Sequence, residues 1–250
     1  MPRANRHFLP HHVWHITHRY HKKEFLLKFS HDRQRWIHWL FEAKKRYGLA
    51  VLNYMVASNH IQLLVVDSGE QVVAQSLQLI AGRTAQAYNQ RKGCKGAFWE
   101  DRYHATAIDT DEHLYRCFVY IDLNMVRAGV VSHPKNGPIA VTRKSSICEN
   151  DMPLLIMRSC KLCGVSRTED FQAAHRDWIA AALQSHQHQR QPHWFESLAV
   201  GSEAFINCVD KALGYRKPGR IIEYDDRSLV LKEPTIPYNI NFRVEKDGLS

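Results

Sequence analysis

Residues 49–66 read LAVLNYMVASNHIQLLVV. Two apolar, β-branched runs, Leu49–Val56 and His60–Val66, flank the turn residues Ala57, Ser58 and Asn59. That arrangement predicts a β-hairpin. Upstream, Val13–Arg19 (VWHITHR) mixes β-branched, aromatic and polar residues in rough alternation and reads as a first strand. Between it and the hairpin, Trp36, Trp39, Leu40, Ala43 and Tyr47 recur at helical spacing. They predict an amphipathic helix over 32–47, with Ser30 or Asp32 as its cap, Gly48 as its stop and a basic outer face. Downstream, Val73, Leu77, Ile80, Ala81 and Tyr88 mark a second helix from Glu70 to about Arg91. Phe98–Ile108 is extended, with a bend at Trp99–Arg102. A third helix starts at the caps Asp109 and Thr110, buries Leu114, Cys117, Phe118, Ile121 and Met125, and stops at Gly129. The order strand, helix, strand, strand, helix, strand, helix is that of an α+β, ferredoxin-like antiparallel sheet with helices on it. It occupies 1–134. Residues 135–250 read as an α-rich accessory region, with helices over about 170–187 and 202–213.

The whole chain has 250 residues, 44% hydrophobic and 24% charged, which excludes disorder over its length. No apolar run approaches the ~20 residues that cross a bilayer, and MPRANRHFLPHH lacks the apolar stretch of a signal peptide. A cytoplasmic, nucleoid-associated protein with no membrane partner is the resulting expectation. Net charge is +9. Residues 1–50 alone hold 11 Lys/Arg against 3 Asp/Glu, so the excess is concentrated there. An acidic partner, nucleic acid first, follows from that charge. Cys160 and Cys163 form the only close cysteine pair; one such pair is a weak zinc signal, and reduced thiols are the simpler reading.

Two pairs of residues carry chemistry. On a strand, His60 and Gln62 face the same side, and an imidazole with an amide oxygen can share a divalent cation. The bland alternative is a polar pair on a half-solvated strand face. On a helix, Tyr120 and Asn124 are neighbours four residues apart. A tyrosine is a competent nucleophile toward phosphorus beside a metal, and Asn124 offers a third ligand oxygen. The alternative is a surface Tyr and Asn.

The run Tyr54–Val65, YMVASNHIQLLV, resembles the Y-V-x-M-P-N-H-x-H-L-L signature of the single-tyrosine HUH transposases, and most closely the REP-associated tyrosine transposases. Tyr120–Val131, YIDLNMVRAGVV, is similar to that family's Y-I-x-x-N-P-V-R-A-G-L-V. His15–Arg19, Phe98–Tyr103 and Asp111–Leu114 add matches in the same order, so the resemblance spans about residues 9–134.

The resemblance implies an HUH nuclease fold and a metal-dependent transposase/endonuclease that cleaves and rejoins single-stranded DNA at hairpin-associated sites. It implies Mg²⁺ or Mn²⁺ held by His60, Gln62 and Asn124. Tyr120 is then the nucleophile that forms a 5′-phosphotyrosine link. Both monomers and a homodimer are compatible with such a family. Gln62 stands where the family has its second histidine, Ala57-Ser58 where it has Met-Pro, and Met125 where it has Pro. Gln62 keeps an oxygen donor, and the other changes are conformational. The alternative is a catalytically decayed or domesticated protein that binds DNA hairpins without cutting; a basic RNA-binding domain ranks last. Arg3, Arg6, Arg19, Lys22 and Lys23 are expected to grip DNA phosphates, and Trp14, Tyr20 and Trp99 either stack on unpaired bases or pack in the core. Arg127 either contacts a phosphate or caps its helix.

Overall fold

The computed structural model describes residues 9, 11–69, 71–110, 112–136, 168–185, 189–214, 219–225 and 228–233. The elements in chain order are β1 (Val13–Arg19), α1 (Ser30–Tyr47), β2 (Ala50–Val56), β3 (His60–Val66), α2 (Val72–Lys92), β4 (His104–Ile108), α3 (Glu112–Asp122) and α4 (Asn124–Arg127). After residue 167 come α5 (Thr168–Gln184), α6 (His193–Glu196), β5 (Ala199–Gly201), α7 (Glu203–Leu213), β6 (Ile221–Asp225) and β7 (Ser228–Lys232).

Seven strands form one sheet in the order β2-β3-β1-β4-β5-β7-β6. The first four run antiparallel and have the α+β, ferredoxin-like order expected from the sequence. Strand alternation divides two cores. Trp14 and Ile16 of β1 and Ile61, Leu63 and Val65 of β3 lie under α1 and α2, with Trp36, Leu40, Leu77 and Ile80. Val13, Leu64 and Val66 face α3 instead, with Leu114, Phe118 and Ile121. A β-bulge between Val51 and Asn53 shifts the phase of β2, so Val51 and Tyr54 share the first core while Leu52 and Met55 share the second.

Gly48 ends α1 in the left-handed region (φ 71°), and its N–H donates to the Lys44 carbonyl. The expected caps of α1 are not used. Phe29 holds the cap position, Ser30 is already helical, and the buried Asp32 carboxylate pairs with Arg91 at 2.7 Å. The expected single helix up to Gly129 is broken at Leu123 (φ −77°, ψ 0°) into α3 and α4. The Asp122 carboxylate beside that break is tied to Asn53 Nδ2 on the bulge at 3.3 Å and to His175 Nε2 on α5 at 2.9 Å.

The described part of 135–250 holds more helix than strand, as expected, but its three strands extend the sheet past β4. β5 joins β4 in the sheet's single parallel pairing, so the sheet is mixed. Gly201 makes the approach tight: a Cβ there would stand 2.5 Å from Phe205 Cδ1 and 2.6 Å from Asp109 Cβ. The Asp109 carboxylate accepts from the Ser202 N–H and hydroxyl, which locks the junction. α6 seats Trp194 fully buried in the α3-side core; its carbonyl accepts from His15 Nδ1 and the Thr106 hydroxyl. Among the described residues, no helix is long and apolar enough to cross a membrane.

Candidate active site

His60 and Gln62 point to the α3 side of the sheet because they share the parity of Leu64 and Val66. Thr17 and Arg19 stand opposite them on β1, in register as Thr17 with Gln62 and Arg19 with His60. α3 and α4 bring Tyr120, Asn124 and Arg127 over this part of the sheet. Together these residues line a cavity of about 350 Å³, with Asn59, Ala128, Arg190 and Phe195 completing its wall. Tyr120, His60, Gln62 and Asn124, separated by up to 64 residues, are thus on one cavity.

The donor atoms suit a cation. His60 Nδ1–H donates to the Asn59 carboxamide oxygen at 2.7 Å. That fixes the tautomer and leaves the Nε2 lone pair facing Asn124, whose amide nitrogen is 3.2 Å away. Burial lowers the His60 pKa from 6.5 to about 4, with help from the charges of Arg19, Arg127 and Arg190. The imidazole is therefore neutral at pH 7. Gln62 is buried and its Oε1 accepts no hydrogen bond. A buried oxygen left without a donor is costly unless a ligand uses it. Among the described residues, no cluster of three His, Cys, Asp or Glu exists that could hold a metal. Any cation here would rest on one imidazole and two carboxamides.

Tyr120 is nearly covered. Its ring packs against Trp194, with centroids 5.9 Å apart, and edge-on against His15 at 6.2 Å. Burial pushes its phenol above the ordinary value of 10, while Arg127 pulls it down. The Arg127 guanidinium lies 3.8 Å from the Tyr120 ring centroid and donates to the Tyr120 carbonyl. In an unbroken helix that carbonyl would accept from the Asn124 N–H. The break at Leu123 frees it for Arg127, so Arg127 both closes the helix end and lines the cavity.

Of the other predicted residues, Arg19 reaches the cavity and Lys22 does not. Lys22 sits in the short turn after β1 with φ 51°. Arg3, Arg6, the Lys23 side chain, Cys160 and Cys163 lie outside the described residues. Trp14 and Tyr20 are core residues beneath α1 and α2, not stacking platforms. Trp99 is half-buried, stacked on His18 at 3.8 Å, with its indole N–H donated to the Ala81 carbonyl. Sequence reasoning missed Arg190, Phe195 and His15. His15 is fully buried, and burial lowers its pKa to about 4.

Residues 8–124 match the family described as "Transposase IS200 like". No curated protein sequence matches the chain. Among solved structures, the chain is similar to a REP-associated tyrosine transposase bound to a REP hairpin: 17% identity, TM-score 0.48, 59% of this chain and 86% of that one. A putative transposase from Deinococcus radiodurans R1 gives 14% identity and TM-score 0.35, over 46% of this chain and 92% of that one.

Proposed function

We propose, from the match of residues 8–124 to the IS200-like transposase family, that this protein is a metal-dependent single-stranded DNA transposase. In this reading it cleaves and rejoins strands at hairpin-associated sites. One observation carries the proposal: Tyr120, His60, Gln62 and Asn124 line the same cavity, and the last three present neutral donor groups. The unpartnered Gln62 Oε1 and His60 Nε2 would be ligand atoms, and Asn124, whose amide nitrogen faces His60 Nε2, would add its carboxamide oxygen once that group turns over. The two carboxamide oxygens can bind Mg²⁺ or Mn²⁺, less strongly than carboxylates would, and the imidazole nitrogen would complete the set. Such an ion, when bound, polarises a phosphate oxygen and stabilises charge building at phosphorus.

The chain's own residues do the rest. The Tyr120 phenolic oxygen attacks the scissile phosphorus as its proton passes to solvent, which returns one to the departing 3′ oxygen. The phosphorus–O3′ bond breaks. The products are a 5′-phosphotyrosine link and a free 3′-OH. Attack by a 3′-OH on that ester reverses the step and joins strands. The ester preserves the bond energy, so no nucleotide triphosphate is consumed. Arg127, against the Tyr120 ring, favours the phenolate and can neutralise charge on the phosphate.

The test is a 5′- and 3′-labelled hairpin oligonucleotide incubated with the protein and Mn²⁺ or Mg²⁺, then resolved on a denaturing gel. A protein–DNA adduct is expected with the wild type and absent with Tyr120→Phe or with chelator. Hairpin binding without any adduct would replace this reading with that of a DNA-binding protein that no longer cuts. An adduct that survives Tyr120→Phe would move the nucleophile elsewhere.

A further inference from the structure

Three guanidiniums, those of Arg19, Arg127 and Arg190, line the cavity, and among the described residues no Asp or Glu does. Arg127 is committed to Tyr120. Arg19 and Arg190 are organised differently. Both lie against the ring of Phe195, at 5.5 Å and 4.5 Å from its centroid. Among the described residues, neither has a carboxylate partner. Arg19 comes from the end of β1, whereas Arg190 and Phe195 come from the segment leading into and forming α6. Phe195 is fixed because its neighbour Trp194 is fully buried and its carbonyl bonds His15 and Thr106.

Two like charges gathered on one aromatic ring at a cavity mouth, without a counter-charge, form a receptor for an anion. Guanidiniums held in place by a ring lose little freedom on binding and present forked donors to phosphate oxygens. Resting on the transposase reading above, we propose that Arg19 and Arg190, seated on Phe195, form a phosphate subsite beside the catalytic one. It holds a DNA phosphate near the bond that Tyr120 attacks. The region after residue 167 then has a defined role: it supplies half of the clamp that aligns the strand.

Binding can be measured separately from cleavage, in a Tyr120→Phe background with chelator, using a fluorescent single-stranded dT oligonucleotide over a salt series. Arg190→Gln should weaken binding about 5–20-fold at low salt and flatten the log–log salt slope by about 0.7, one single-strand phosphate contact. Arg190→Lys should keep the slope but recover only part of the affinity, because it keeps the charge and loses the planar seat on Phe195. Phe195→Leu should weaken binding with both charges present. Arg46→Gln, which removes an α1 charge already paired with Glu42, should leave binding unchanged. Equal effects of Arg190→Gln and Arg46→Gln would reduce the subsite to net charge and overturn the proposal. So would wild-type affinity and slope in Arg190→Gln. Failure of the unsubstituted protein to bind the oligonucleotide would overturn the transposase reading as well, which separates the two failures.

Discussion

Acidification should destabilise this protein steeply between pH 6.5 and 4, and two histidines set the size of the effect. His15 is fully buried, and burial lowers its pKa from 6.5 to about 4. His60 is lowered to the same value, first by burial and then by Arg19, Arg127 and Arg190. A lowered histidine pKa means that the folded state binds fewer protons than the unfolded chain. The stabilisation is complete above the unfolded value of 6.5 and is lost as pH falls toward 4. At pH 5 the unfolded chain has protonated both side chains while the folded one has not. Each contributes a loss of about 2 kcal/mol relative to pH 7.5, together about 4 kcal/mol. That is a large share of the ~5–15 kcal/mol that holds a typical domain. Urea unfolding followed by tryptophan fluorescence from pH 7.5 to 4.5 reads this directly. His15→Gln keeps a donor for the Trp194 carbonyl but cannot titrate. Its loss of stability between pH 7.5 and 5 should be smaller than the wild type's by about 2 kcal/mol. Parallel pH curves for the two proteins would refute the reasoning, because His15 would then not be held neutral.

Three further outcomes are expected. Mn²⁺ titrated calorimetrically into the protein alone should bind weakly, and at least about tenfold more tightly with a single-stranded oligonucleotide present, because three arginines repel a cation and three neutral donors do not offset them until phosphate arrives; equal affinity in both titrations contradicts this. Asn59→Ala removes the acceptor that fixes the His60 tautomer and should slow adduct formation about 10-fold, as outer-shell partners of metal-ligating histidines commonly do; an unchanged rate would deny Asn59 that role. Gly201→Ala forces a Cβ into Phe205 and Asp109 and should cost about 1–3 kcal/mol of stability, seen as a lower Tm by calorimetry; an unaltered Tm would mean the junction yields freely.

The parts of this fold written in local pattern were legible, and the parts that depend on distant contacts were not. β1 and β3 fall where alternation predicts, at Val13–Arg19 and His60–Val66. That His60 and Gln62 share one face follows from strand parity, whereas the packing of α3 on that face is set by the fold. The same parity could have decided the aromatic assignment. If Thr17 and Arg19 face the cavity, Trp14 and Tyr20 must face the opposite side, and they do. The break at Leu123 has no local signature. It sits beside Asp122, whose partners Asn53 and His175 lie 69 residues before it on a bulge and on a helix beyond residue 167. Nor does any periodicity mark Arg190 or Phe195, whose position depends on the pairing of β5 with β4.

That pairing also decides what the second half of the chain is for. A domain joined only by a linker would leave β4 as an exposed edge and His15 with no carbonyl above it. Here β5 covers that edge, and α6 is held from below by His15 and Thr106. The Ala107 N–H donates to the Leu198 carbonyl, and the Leu198 N–H to the Leu231 carbonyl, so the chain just after α6 is sewn into the sheet on both sides. Phe195 and the arginines on it are therefore located by the same hydrogen-bond ladder that locates His60. A chain ending at residue 134 would retain Tyr120, His60, Gln62 and Asn124. It would lose Trp194 from the Tyr120 ring, the acceptor that orients His15, and one guanidinium of the anion clamp. The ligand set belongs to the first half of the sequence, but the enclosed, positively charged cavity in which it sits requires both.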